Sequence, residues 1–220
     1  MESATVAGRW LQPRGVIYYG YFEDAGAPRR ALALSSIPTF PDVGATLLLD
    51  ERPMALLLAS RADETSPARG FVPAGTDLNL QREQVVKWGN RHCGDDKARI
   101  NGASRVATDA IVEPFVAGRS ERVLLIGDQL WHLRYESTDW RKNVAATVTT
   151  IEPEPLLVAR ARRTAERLGL SVAGVDYIVN DGGATLLEVN AYPGFDDADG
   201  APEAFVSLAA AWWRRVSSSS

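Results

Sequence analysis

The stretch Val172–Phe195, VAGVDYIVNDGGATLLEVNAYPGF, decides how the rest of the chain is read. Two β-rich runs, Val172 to Val179 and Ala184 to Val189, flank Asn180-Asp181-Gly182-Gly183, a turn composition, so the segment reads as a β-hairpin. With a three-residue loop from Asp181 to Gly183, Asn180 faces Ala184, and stepping back along both strands sets Asp176 opposite Glu188. Asn190 lies two residues beyond Glu188 and shares its face, flanked by Ile178 and Leu186. The other face carries Val175, Tyr177, Val179, Leu187 and Val189, which are core residues by type.

Like charges directly opposed across a strand pair are destabilising unless something bridges them. Two carboxylates and an amide oxygen, with no cysteine or histidine, form a hard-oxygen donor set suited to Mg²⁺. That ion takes one or two protein carboxylates and completes its shell with waters and phosphate oxygens. The spacing equally admits a sheet with one side open to water, on which Asp176 and Glu188 are merely solvated. A one-residue slip of register would undo the pairing altogether.

Composition narrows the classes. The 220 residues are 45% hydrophobic, enough for one large or two small folded units of a soluble globular protein. Twenty-four Lys and Arg against 28 Asp and Glu leave a net charge of −4, which argues against nucleic acid as a partner. The single cysteine, Cys93, excludes an internal disulfide and a thiolate zinc site and suits a reducing cytoplasm. No apolar run reaches membrane-spanning length, and residues 1–30 lack a signal-peptide core.

Along the chain, residues 15–20 (GVIYYG) read as a strand, and Arg30 to Ser36 as a short helix or a strand. The connector from Ile37 to Asp42 holds two prolines. Asp50 to Arg61 (DERPMALLLASR) reads as a packed helix with an early proline. Glu83 to Lys87 and Ile111 to Val116 are extended, and Trp88 to Asp96 is a loop between them. Val123 to Ile126 and Gln129 to Tyr135 flank Gly127-Asp128, a second hairpin. Pro155 opens a helix that stops at Gly169, and Pro202 to Val216 forms a last amphipathic helix. His92 and Cys93, adjacent and therefore pointing apart on an extended chain, read as loop residues. Trp212 and Trp213 read as packing residues of the last helix.

Taken as a unit, Val172–Phe195 resembles the metal-binding end of the ATP-grasp superfamily, especially ribosomal-protein glutamate ligases and related amino-acid-adding ligases. There, a Gly-Val-Asp strand is followed by a Glu-Val-Asn strand and a Pro-Gly turn. Upstream, Val85-Val86-Lys87 resembles the strand ending in a phosphate-contacting lysine. Val112-Glu113-Pro114-Phe115-Val116 resembles the hinge that receives adenine. Arg122 before Val123–Asp128 and the segment Asp139-Trp140-Arg141-Lys142-Asn143 are also similar to family motifs. The likeness covers roughly residues 40–215. Departures are equally visible: Arg52 stands where a lysine is usual, Trp88 to Asp96 is not a glycine-rich run, and Val144-Ala145-Ala146 replaces a basic residue and glycines.

The resemblance implies an α+β fold with two subdomains gripping ATP between their sheets. Residues 1–42 would be a short remnant of the domain that commonly precedes the grasp. Residues 43–112 would form the nucleotide-covering subdomain, 113–216 the catalytic subdomain, and 217–220 a tail. It implies an ATP-dependent carboxylate–amine ligase working through an acyl phosphate on small-molecule or peptide substrates. Asp176, Glu188 and Asn190 would hold Mg²⁺ or Mn²⁺. Arg52, Lys87, Glu113, Phe115, Val116 and Asn143 would bind ATP, and Arg122, Arg134 and Arg141 would clamp substrate carboxylate and phosphoryl group. Two alternatives stand beside it: a nucleotide-binding protein without ligase activity, and one half of a ligase completed by a homodimer or partner subunit.

Overall fold

The computed structural model describes residues 4–6, 9–11, 13–20, 26–89, 96–142 and 144–218; of 4–6 and 9–11 it gives the backbone alone. The N-terminal part carries a two-stranded hairpin, β1 (Ala4–Val6) with β2 (Arg9–Leu11), then β3 (Val16–Ile17) and α1 (Gly26–Ala33). β4 (Thr39–Phe40) pairs parallel with β3, so the proline-rich connector contains a short strand. α2 (Val43–Leu47) is capped by Asp42, whose carboxylate accepts from the Gly44 and Ala45 amides at 2.8 and 3.1 Å. α3 (Arg52–Ala62) carries Pro53 in its first turn, where a missing amide hydrogen costs nothing.

Two antiparallel sheets follow. The smaller comprises β5 (Gly70–Val72), β6 (Asp77–Trp88), β7 (Lys97–Arg105) and β8 (Ala110–Pro114), in the order β5-β8-β6-β7. The larger comprises β9 (Arg119–Ile126), β10 (Gln129–Glu136), β11 (Thr147–Ile151), β12 (Val172–Asn180) and β13 (Gly183–Asn190), in the order β11-β10-β9-β12-β13. β7, β5 and β11 were not legible as strands. They are short or polar, and Lys97–Arg105 has no apolar alternation strong enough to mark it.

The larger sheet is covered on both faces, which is why Val123-Leu124-Leu125-Ile126 is an unbroken apolar run. One face holds Val123, Leu125, Val175, Tyr177 and Leu186 against Leu157, Ala161 and Ala165 of α4 (Pro155–Arg167). Glu154 caps α4 through the Leu156 and Leu157 amides at 3.1 and 2.6 Å, and Gly169 takes the left-handed conformation just beyond it at φ +70°. The other face holds Leu124, Ile126, Leu133 and Val172 against Ala201, Ala204, Phe205 and Trp212 of α5 (Ala201–Ser218). Further along the same face, Ser120, Arg122 and Asp176 line a cleft.

The β12–β13 hairpin corrects the expected register. Asn180 pairs with Gly183 around a two-residue turn, and an extra residue, Leu187, bulges between the Tyr177–Leu186 and Asp176–Glu188 pairs. Asp176 does oppose Glu188, but by way of the bulge. The extra residue also exchanges the neighbours: Leu186 is fully buried in the core and Leu187 lines the cleft, the reverse of the expected faces.

Candidate functional site

The cleft lies between the two sheets. Its floor is the polar end of β9, β10, β12 and β13, and its roof is the inner face of β6, β7 and β8. At the floor, Arg122 grips Asp176 with two parallel hydrogen bonds, Nε to Oδ1 at 2.6 Å and a terminal nitrogen to Oδ2 at 2.9 Å. Asn190 Nδ2 donates to the same Oδ2 at 3.0 Å. Glu188 faces the cleft beside them. Gly174 permits this crowding, because a Cβ there would sit 2.9 Å from Pro193 Cβ and 3.4 Å from Arg122 Nε. Burial alone would lower the pKa of the Arg122 guanidinium, but Asp176 outweighs it and moves it above the ordinary arginine range. Tyr135, whose ring lies 5.5 Å from the Arg122 guanidinium, is pushed up to about 12, chiefly by burial.

At the roof, Lys87 Nζ meets Glu113 Oε1 at 2.5 Å, and Arg69 Nε donates to Glu113 Oε2 at 2.6 Å. Burial would raise the Glu113 carboxyl, yet Lys87 and Arg69 together hold it below its usual value. Arg69 continues to the Leu56 carbonyl and Ser60 Oγ of α3, at 2.9 and 2.8 Å, and to the Leu187 carbonyl at the bulge. It thus ties helix, roof and floor. Lys97 stands across the β6–β7 ladder from Lys87, and burial first, then Lys87, lower it to about 8. At the far end, Phe115 and Trp140 meet edge to face with centroids 6.4 Å apart, and Arg99 lies 4.1 Å from the Phe115 ring. Arg141 Nε and a terminal nitrogen bind Asp139 at 2.9 and 2.6 Å, and these bonds hold the Asp139 carboxyl down at about 2.

The structure brings Lys87, Glu113, Phe115, Val116, Arg122, Arg141, Asp176 and Glu188 into one cleft, with Asn190 bonded to Asp176 at its floor. It does not bring Arg134. Arg134 pairs with Glu121 across β9–β10 at 3.1 Å, on the sheet face opposite Arg122, beside buried His132. The two-residue Gly127-Asp128 turn fixes this parity: Arg122 faces Leu133, so Arg134 points away. Glu113 lines the cleft with one oxygen on Arg69 and the other on Lys87, an arrangement that holds Lys87 in place. Arg52 gives one terminal nitrogen to the Trp88 and Asp96 carbonyls at 2.8 and 3.3 Å, which pins together the two ends of the intervening loop. Asn143, His92 and Cys93 lie outside the described residues. Lys97, Arg69 and Tyr135 were missed. Lys97 alone left a signal, as the residue that pairs with Lys87 if Trp88–Asp96 closes a hairpin.

Among the described residues no three His, Cys, Asp or Glu side chains cluster as a metal site. Asp176 and Glu188 with the Asn190 amide still fit a hard divalent cation. Each carboxylate oxygen has two acceptor positions, so Asp176 can keep Arg122 and ligate as well.

No protein-family profile matches the chain. A probable alpha-L-glutamate ligase of Xanthomonas campestris pv. campestris (strain B100) is 34% identical over 98 residues, covering 41% of this chain and 34% of the relative. The chain thus spans about a third of that curated relative's length. The ATP-grasp ligase PsnB, solved with its minimal precursor, superposes with a TM-score of 0.59 at 19% identity, over 92% of this chain and 81% of PsnB. The VanG D-Ala:D-Ser ligase of Enterococcus faecalis gives 0.61 at 18% identity, over 85% of this chain and 66% of VanG. The chain has the ATP-grasp fold. Its sequence relatives include probable alpha-L-glutamate ligases, and its structural neighbours include PsnB and the VanG D-Ala:D-Ser ligase.

Proposed function

We propose that this chain binds ATP with Mg²⁺ between its two sheets and uses it to join a carboxylate to an amine. The observation that carries this reading is the convergence, in one cleft, of the Asp176–Glu188 pair from the floor and the Lys87–Glu113 pair from the roof. Opposed carboxylates suit a divalent cation, and cations facing them suit the phosphates between. Asp176, Glu188 and Asn190 would hold the Mg²⁺, which neutralises phosphate charge when bound. The apolar end, with Val85, Phe115, Val116, Ile178 and Leu187, would take the adenine ring.

The chemistry needs no covalent protein nucleophile. A substrate carboxylate attacks the γ-phosphorus and ADP leaves. The amine then attacks the acyl carbon, phosphate departs, and the amine loses a proton. Lys87, fixed by Glu113, would stabilise phosphate oxygens, and Arg122, fixed by Asp176, would orient the substrate carboxylate or phosphoryl group. Arg141 at the rim would steer the carboxylate inward. L-Glutamate is the first amine to test, given the named relative.

The experiment is ADP release from Mg-ATP in the presence of carboxylates, with L-glutamate and short peptides as amines. Release that requires both substrates, with an amide product by mass spectrometry, supports the ligase. Nucleotide binding without release across that set would favour the non-catalytic nucleotide binder.

A further inference from the structure

We infer that Lys97 is a phosphate ligand of the cleft, reaching the polyphosphate from the roof beside Lys87. This rests on the nucleotide reading above and adds a residue that the sequence motifs do not supply. In the antiparallel β6–β7 ladder Lys87 pairs with Lys97, so two ammonium groups leave the same end of the roof and both line the cleft. Like charges placed opposite one another weaken a ladder. Lys87 is compensated by Glu113. Among the described residues no hydrogen bond or ion pair engages the Lys97 ammonium, although the residue is partly buried.

The surroundings of Lys97 define what would satisfy it. Lys87 and Arg52 crowd it with positive charge, while Glu188 and Asp176 attract it from across the cleft. Asp176 is already bound by Arg122. In all, Lys87, Lys97, Arg122, Arg141 and Lys142 line the cleft with Glu113, Asp176 and Glu188, and Asp139 beside them pairs with Arg141. That excess of cations suits a polyanion lying between Lys97 and the two floor carboxylates, where the divalent cation would sit. Arg52, the residue at the expected lysine position, spends donor capacity on the Trp88 and Asp96 carbonyls instead.

The test compares the native chain with Lys97→Met and Lys97→Arg, by calorimetric titration of Mg-ATP, Mg-ADP and adenosine, and by thermal unfolding without nucleotide. A lost charge-assisted hydrogen bond weakens binding by about tenfold or more. Lys97→Met is expected to lose at least that for Mg-ATP, to bind adenosine as the native chain does, and to unfold no earlier than it, because a crowded charge has been removed. Lys97→Arg keeps most of the Mg-ATP affinity. Native binding of Mg-ATP with no change in Lys97→Met overturns the assignment, as does a parallel loss of adenosine affinity and thermal stability, which marks a structural residue. If the native chain binds adenosine and Mg-ATP no better than buffer, the nucleotide reading itself fails, a result distinct from either.

Discussion

Arg69→Met tests the packing logic that joins the two halves of the cleft. The Arg69 side chain is 1% exposed, and its guanidinium serves Glu113, the Leu56 carbonyl, Ser60 and the bulge carbonyl of Leu187. Methionine fills similar volume and donates nothing. Glu113, itself 3% exposed at the side chain, then keeps only Lys87, and the Leu187 carbonyl at the bulge loses the Arg69 donor. Removing one partner of a buried pair costs ~3–5 kcal/mol, because the other charge stays desolvated. In a chain of this size each kcal/mol lowers Tm by ~2–4 °C, so a drop of ~6–20 °C is expected in thermal unfolding. The pH dependence adds a signature. Glu113 is depressed in the folded state, so its contribution is present above its unfolded value of 4.5 and is lost as pH falls through the folded value. With Arg69 gone that depression shrinks, and native and variant curves converge as the pH is lowered below 4.5. A loss under about 1 kcal/mol at neutral pH, or a gap that does not narrow in acid, would refute the strut.

Arg134→Gln is expected to cost ~1–3 kcal/mol by loosening Glu121, with ADP release unchanged. Arg122→Gln should lower turnover by about a hundredfold because Asp176 loses its fork; steady-state rates on both variants separate the two faces of the sheet. Lys97 gives a pH prediction with two signs. Its folded value of about 8 lies below the unfolded 10.5, so the unfolded chain binds more protons between them, and stability of the nucleotide-free protein from this group rises with pH over that window. Mg-ATP affinity should instead weaken above pH 8, by up to about tenfold per unit, in the native chain and not in Lys97→Met.

The sequence carried the floor of the cleft further than its register deserved. Composition suggests a three-residue loop where the chain makes a two-residue turn, and the bulge at Leu187 restores the Asp176–Glu188 pairing. The bulge is met by Arg69, 118 residues away, a contact no local pattern records. Helix α4 is legible because Pro155 and Gly169 mark its ends, α3 because Pro53 marks its start, and β9–β10 because Gly127-Asp128 marks the turn. That same turn fixes the alternation that sends Arg134 to the face opposite Arg122. The roof was harder to read: Lys97 begins a polar strand without clear alternation, and its place in the cleft depends on pairing with Lys87. Likewise, Glu113 could be placed at the hinge but not with its partners, since Arg69 is 44 residues upstream.

The central claim is that the floor strands hold a divalent cation for a nucleotide. Calorimetric titration of ATP, with and without Mg²⁺, into the native chain and a Glu188→Ala, Asn190→Ala double variant tests it directly. The account predicts Mg²⁺-dependent binding by the native chain that the double variant loses, with its fold retained by circular dichroism. Equal affinity in the two proteins, or native binding indifferent to Mg²⁺, would contradict it.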